Sequence, residues 1–171
     1  MTPPHPPPRP ASASRVEMTE LVIPEDTNIY GNVFGGRVME LIDKAAAVAS
    51  LRHCRANIVT ASVDSLDFIH PIRLGNIITL LAQVNNAWSS SMEVGVKVFS
   101  EDPLSGEVVH TCTAYVTTVA LGQDHQPLTA VPGILARTGD ETRRLHEAEE
   151  RRRLRLERIS LRWRRRKEKE T

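Results

Sequence analysis

Along the chain, Val38, Leu41, Ile42, Ala45, Ala46 and Ala49 recur at the i, i+3, i+4, i+7, i+8, i+11 spacing that lays one apolar face along a helix. The pattern predicts a helix from Gly35 to about Arg55, roughly 30 Å long at 1.5 Å per residue, enough to cross a small sheet. Strand-type runs surround it: Val16 to Ile23 before the helix, then Ile58 to Phe68, Ile77 to Ala87, Met92 to Phe99 and Val108 to Leu121. Met92, Val94, Val96 and Val98 alternate with Glu93, Gly95 and Lys97, a period of two that turns one face inward. Turn residues separate the runs at Pro24 to Asn28, at Pro71 to Asn76 and at Asp102 to Gly106, while Asn85 to Ser91 holds a bend or a bulge.

One strand, one long helix and then an antiparallel meander make an α+β arrangement in which the sheet has to wrap the helix to bury both. A single sheet covers only one side of that helix. Pairing of two copies is the usual remedy for the remaining apolar surface and the open strand edges.

Composition changes this picture at the two ends. Residues 1–14 are Pro, Ala and Ser with almost no aliphatic content, so a disordered tail is expected there, followed by one domain over residues 15–132. Residues 133–171 form a charged extension of helix-forming composition, with pairs such as Glu147 and Arg151 at i, i+4, and are expected to be a solvated helix. Residues 141–170 hold 13 Lys/Arg and 7 Asp/Glu of the chain's 22 and 21, which leaves 9 and 14 for the folded part. A mildly acidic core argues against nucleic acid as its ligand. No apolar run approaches the roughly 20 residues of a membrane span and the N-terminus lacks the apolar stretch of a signal peptide, so a cytoplasmic protein is expected. Cys54 and Cys112 lie outside any CxxC pattern and read as two small buried hydrophobes; no metal site is indicated.

Gly31-Asn32-Val33-Phe34-Gly35-Gly36 is the segment most able to carry chemistry. A glycine-rich entry leaves backbone N–H groups unpaired at a helix N-terminus, where they and the macrodipole stabilise negative charge on a bound oxygen, the physics of an oxyanion hole. The same glycines could equally serve a tight turn. Two helical turns further on, Asp43 projects beside Met39, Ala46, Ala47 and Ser50, a flank of small or apolar side chains on which a carboxylate is a candidate general base. Thr60, Ser62 and Asp64 alternate along the next strand and present one polar face. Ser89-Ser90-Ser91 after Trp88 offers hydroxyls and N–H groups to amide or phosphate oxygens, or a plain polar bend. GxSxG, HExxH, P-loop and GxGxxG patterns are absent and the histidines are scattered singly, which disfavours a Ser-His-Asp hydrolase.

The run from Asp26 to Gly36 with Met39 and Asp43, then Val59 to Asp64, Phe68 with Pro71-Ile72 and Gly75, Ser90-Ser91-Met92-Glu93-Val94 and Pro132, closely resembles the hotdog-fold acyl-CoA thioesterases over about residues 16–132. These include short bacterial acyl-CoA hydrolases and two-domain animal enzymes. The helix and meander described above are the hotdog architecture in outline. The resemblance implies a dimer, often assembled further into a trimer of dimers, that cleaves the thioester of acyl-CoA to free acid and CoA without a metal. It also implies a base or nucleophile at Asp43, assistance from Thr60 and a catalytic role for Asn32. Trp88-Ser89 stands where the family often has Gly-Arg, and Gly75-Asn76 where it often has Gly-Asp; the first change removes a cationic contact to CoA.

Taken together, the expected catalytic set is Asp43, Asn32, Thr60 and the Gly36 N–H, with Phe34, Gly35, Ser62, Ser90 and Ser91 contacting substrate. No cofactor is expected, CoA being part of substrate and product. Two alternatives stand beside this reading. One is another hotdog acyl-thioester enzyme such as a dehydratase, for which His53 sits at the wrong end of the helix. The other is a non-catalytic acyl-CoA sensor or interaction protein acting through the basic C-terminal helix.

Overall fold

The computed structural model describes residues 6–64 and 66–169. The chain runs through strand β1 (Arg9–Pro10), a 3-10 turn (Ala11–Ser14), β2 (Val16–Leu21), a second 3-10 turn (Pro24–Asp26) and helix α1 (Gly35–Cys54). Strands β3 (Asn57–Val63), β4 (Ile77–Ala87), β5 (Ser91–Glu101), β6 (Val108–Leu121) and β7 (Ile134–Leu135) follow, and helix α2 (Gly139–Lys169) closes the order. Five strands form one antiparallel sheet in the order β2-β4-β5-β6-β3, while β1 and β7 pair in parallel as a separate two-stranded unit.

Helix α1 buries the predicted stripe, Val38, Leu41, Ile42, Ala45, Ala46 and Ala49, against the curled sheet. The three alanines let the helix axis approach the strands closely, because they carry nothing beyond Cβ to hold the layers apart. Opposite them, Met92, Val94, Val96 and Val98 of β5 are completely buried, as their alternation predicts, with Leu80 and Val84 of β4 and Cys112, Ala114 and Val116 of β6. Each fully buried aliphatic side chain of this kind contributes about 1.5–3 kcal/mol, so this one layer supplies most of the driving force. The helix stops at Arg55, which takes a left-handed φ of 57° and returns its N–H to Leu51 O at 3.0 Å.

Of the three register shifts in the sheet, in β3–β6, β4–β5 and β5–β6, the first two bear on the polar residues singled out above. The β4–β5 register shifts between Val84 and Asn86, the irregularity expected within Asn85 to Ser91. The extra residue, Asn85, rests over Gly95, where any Cβ would stand 2.7 Å from its Nδ2. The β3–β6 register shifts between Thr60 and Ser62, making Ala61 the extra residue. Thr60 then pairs with Thr118 on the α1 face, whereas Ser62 pairs with Thr117, in register with Glu93 on the opposite face. The single polar face expected for Thr60, Ser62 and Asp64 is therefore split, because a bulge reverses the alternation that a sequence pattern assumes. Strand β3 also ends earlier than its apolar run, at Val63, where Arg155 and Arg158 hold Asp64 at 3.2 and 3.8 Å.

Both ends of the chain are more structured than their composition suggests. The disorder expected for residues 1–14 does not hold for residues 9–14; residues 1–5 lie outside the described residues. Ala11 and Ser14 are buried, and Ser14 Oγ accepts the Val84 N–H at 2.9 Å while donating to Ala11 O at 2.7 Å. Strand β2 begins only at Val16, so β4 has a backbone donor beyond its reach, and the tail is ordered by satisfying it. Helix α2 is capped by Thr138 Oγ1, which accepts the Glu141 N–H at 3.1 Å. Its first half is not a solvated extension, since Glu141, Ala148 and Arg155 are buried on the outer face of the sheet. There Arg151 donates to both oxygens of Glu93, which is completely buried, with a shortest contact of 2.7 Å, and lies 3.6 Å from the Tyr115 ring centre. A basic, highly charged helix reads as solvated from composition because the carboxylates that recruit it, Glu93 and Asp64, sit on distant strands.

Candidate active site

The site-forming elements meet at the free edge of the sheet. Strand β3 is terminal in the strand order and pairs on one side only, with β6. From it, Thr60 Oγ1 donates to Asp43 Oδ1 of α1 at 2.6 Å, a short hydrogen bond of the charge-assisted kind. Asp43 is exposed on the single chain, so the desolvation expected from its small neighbours is not supplied by its own chain. Around it stand exposed apolar side chains of the same two elements: Met39, Val48 and Leu51 on α1, Val59 and Val63 on β3. The pair thus lies within an apolar surface that one copy leaves uncovered.

The helix entry is held from several sides. Phe34 N–H donates to Asp26 O at 2.9 Å, and Phe34 O receives the N–H of Arg37 and Val38 at 2.9 and 3.3 Å. Among the described residues, nothing accepts from the N–H of Gly35 or Gly36, leaving two donors at the positive end of the helix. Arg37 ties this entry down through Glu20 at 2.6 Å, Asp26 at 2.9 Å and Glu40 at 2.8 Å. These bonds, Glu40's foremost, raise the guanidinium's pKa. The glycines differ in what they permit. A Cβ at Gly35 would stand 3.3 Å from the Phe68 ring, whereas one at Gly36 would meet nothing within 4 Å.

Asn32 lies in the turn before the helix, its backbone bridged to Arg73 and hydrogen-bonded to Asn28 at 2.8 and 3.3 Å. Ser90 sits in the β4–β5 turn, where its carbonyl oxygen accepts the Ala120 N–H, and Ser91 opens β5. Among the predicted site residues, the fold brings Asp43 and Thr60 into direct contact and places Ser62 on the α2 face. Sequence reasoning assigned no role to Arg37, whose three carboxylate partners come from three elements, or to Phe68 as the cover of Gly35. His53, the residue a dehydratase would need, is buried at the far end of α1 with Nε2 on Pro132 O at 2.7 Å. Burial depresses its pKa, against the Pro132 bond. Burial likewise pushes the Cys112 thiol up to about 11 and raises that of Cys54. A cavity of about 740 Å³ lies on the opposite side of the sheet, between it and α2, lined by Val96, Phe99, Tyr115, Arg143 and Arg144. It contains none of the predicted site residues.

The thioesterase superfamily model matches residues 30–107, which span the helix entry, Asp43 and Thr60. YkhA of Bacillus subtilis, named as an uncharacterized acyl-CoA thioester hydrolase, is 41% identical over 128 residues, 75% of this chain and 74% of that protein. An apo-hexameric acyl-CoA thioesterase superposes with a TM-score of 0.86 at 36% identity, covering 91% of this chain and 99% of the other. The acyl-CoA hydrolase of Staphylococcus aureus, solved with butyryl-CoA, CoA and CoA disulfide, gives 0.83 at 35% identity over 90% and 94%. Alanine variants of that enzyme at an aspartate, a threonine and an asparagine have also been solved. The chain belongs to the thioesterase superfamily, and within it to the hotdog-fold acyl-CoA thioesterases.

Proposed function

We propose that the protein hydrolyses acyl-CoA to a carboxylic acid and CoA, and that Asp43 is the general base. The observation that carries this is the 2.6 Å bond from Thr60 to Asp43, which fixes the carboxylate while leaving its other oxygen to draw a proton from water. A thiolate leaves readily, so the main demands on the protein are a positioned water and a stabilised oxyanion. The unpaired N–H of Gly36, with Gly35 beside it, meets the second demand, and Asn32 and Phe34 flank it in the same turn. The Ser62 hydroxyl, on the other face of the sheet, is left out of this reading.

Gly36 and Asp43 are separated by two turns, roughly 10 Å along the helix axis, which is more than one thioester group spans. A carbonyl held at the Gly36 N–H and a water held at Asp43 therefore belong to different copies of the chain, packed as an isologous pair across the free edge of β3. The uncovered apolar residues there, Met39, Val48, Val59 and Val63, support that pairing, as does the hexameric state of a structural relative. The three residue types replaced in the S. aureus hydrolase, aspartate, threonine and asparagine, occur at the same spacing here as Asp43, Thr60 and Asn28.

The test is release of free thiol from acyl-CoA. Asp43→Asn should lower kcat by about 10²–10⁴-fold with its fold intact. Undiminished turnover in the folded variant removes Asp43 from the mechanism.

A further inference from the structure

Helix α2 changes character at Arg158, the residue that holds Asp64 at 3.8 Å. Residues 140–158 hold seven Arg and six Asp/Glu, and Arg143, Arg151, Arg153 and Arg155 each hold a carboxylate. Residues 159–169 hold six Lys/Arg and one Glu, and Arg162, Arg164 and Arg165 pair with no carboxylate among the described residues. Every side chain from Leu156 to Lys167 is exposed, so this stretch of helix, roughly 18 Å long, is not buried in the body of the protein.

A solvated helix has no need of an apolar stripe, yet this one carries it. Leu156, Ile159 and Trp163, at i, i+3 and i+7, fall within roughly 60° of one another at 3.6 residues per turn, and all three are exposed. Leu154 and Leu161 stand on the opposite side of the helix and add nothing to the stripe. Arg162 and Lys167 border it on either side. Such long side chains lay their stems along an apolar surface and keep their charged heads in a polar layer.

The charges select the partner. The stripe ends at Arg152, four residues before Leu156, and at Arg166, three after Trp163. A second copy paired along it would set arginine against arginine after little more than one heptad, which is too short a seam to offset the repulsion. Nucleic acid answers the charge but offers nothing to Leu156 and Ile159. An anionic lipid surface answers both, with phosphates for the cations and the acyl boundary for the apolar side chains. Helix α2 is not apolar enough to cross a membrane, so the contact it suits lies in the plane of the interface.

We infer that the second half of α2 docks the protein on an anionic lipid bilayer, with Leu156, Ile159 and Trp163 entering the headgroup boundary and the surrounding Lys/Arg side chains meeting lipid phosphates. This goes beyond the acyl-CoA reading and does not depend on it. The two agree, because a long acyl chain favours the same bilayer and a docked protein meets it there.

The experiment sediments the full chain with vesicles of phosphatidylcholine alone and with vesicles of equal phosphatidylcholine and phosphatidylglycerol. Wild type should bind the mixed vesicles and not the neutral ones, and should release as salt rises from about 0.1 M to about 0.5 M. Each cation at such a surface contributes about fivefold, so Arg162→Gln, Arg164→Gln and Arg165→Gln together should lower the partition coefficient about 100-fold. Ile159→Ser with Trp163→Ser should lower it at least tenfold. Both variants should melt with wild type, since every position changed is exposed. Failure of wild type to bind the mixed vesicles, or wild-type binding by either variant, overturns the inference. So does a smaller oligomer in the Ile159→Ser/Trp163→Ser variant, which assigns the stripe to a second copy, or tighter binding to a DNA duplex than to the mixed vesicles. None of these measurements reads thioester cleavage, so failure of the hydrolase reading leaves this one to be decided by itself.

Discussion

The ring of Phe68 lies against Gly35, with its Cε2 3.3 Å from where a Cβ would stand. A methyl group there has to displace either the ring or the first turn of α1, and the helix entry is the part that holds the proposed oxyanion donors. Gly35→Ala should therefore lower kcat at least tenfold, since small displacements of positioned donors are costly. Gly35→Ala combined with Phe68→Leu should recover part of the loss, because the smaller side chain makes room. Equal activity of wild type and Gly35→Ala would separate Phe68 from the chemistry.

Gly36 tests the donor itself. Proline is tolerated in the first turn of a helix, no described group accepts from the Gly36 N–H, and its Cβ position is open. Gly36→Pro should keep the fold and lower kcat by about 10²–10³-fold. Mixed with Asp43→Asn after dissociation and reassociation, it should regain activity, because one of the two sites in a mixed pair receives both intact groups. Mixtures no more active than their components would refute a site shared between copies.

The bond between Arg151 and the buried Glu93 ties α2 to the sheet. Arg151→Met leaves a carboxylate buried without its cation and should destabilise the protein by about 3–5 kcal/mol. Adding Glu93→Gln removes the stranded charge and should restore much of that stability. Chemical denaturation of the two variants measures the difference, and identical values for both would show that the pair contributes little.

Acid stability should depend on His53. Its imidazole is buried, with Nε2 on Pro132 O and Nδ1 unpartnered, and burial depresses its pKa below the ordinary value, with Arg9 adding to the effect. The unfolded chain then binds a proton that the folded chain refuses. The stability this group contributes is fully present above about pH 6.5, its unfolded value, and is lost as pH falls below that toward the depressed folded value. The melting temperature should fall between pH 7 and 5, and His53→Gln, which keeps a donor for Pro132, should flatten that slope. Parallel slopes would acquit His53.

Periodic elements were legible from sequence, since the apolar stripe of α1 and the alternation of β5 are local patterns that burial enforces directly. Helical phase places Asp43 on a flank of small side chains, whereas strand phase alone leaves Thr60 an ordinary polar position; the family resemblance, not periodicity, links the two. Ser62 was misplaced because a bulge at Ala61 leaves no mark in a run of small residues. Ser14 and Arg151 were missed because each answers a need elsewhere, an unpaired N–H on Val84 and a buried carboxylate at Glu93. Composition describes what a segment can bury, not the vacancy it fills.

Strand β3 carries Thr60 and also presents the sheet's one unpaired edge on that side. If catalysis needs a second copy laid along this edge, substrate turnover becomes a readout of mass action. Activity per chain would then fall on dilution below the dissociation constant of the pair, and the cell could set the rate of thioester cleavage through the amount of protein it makes.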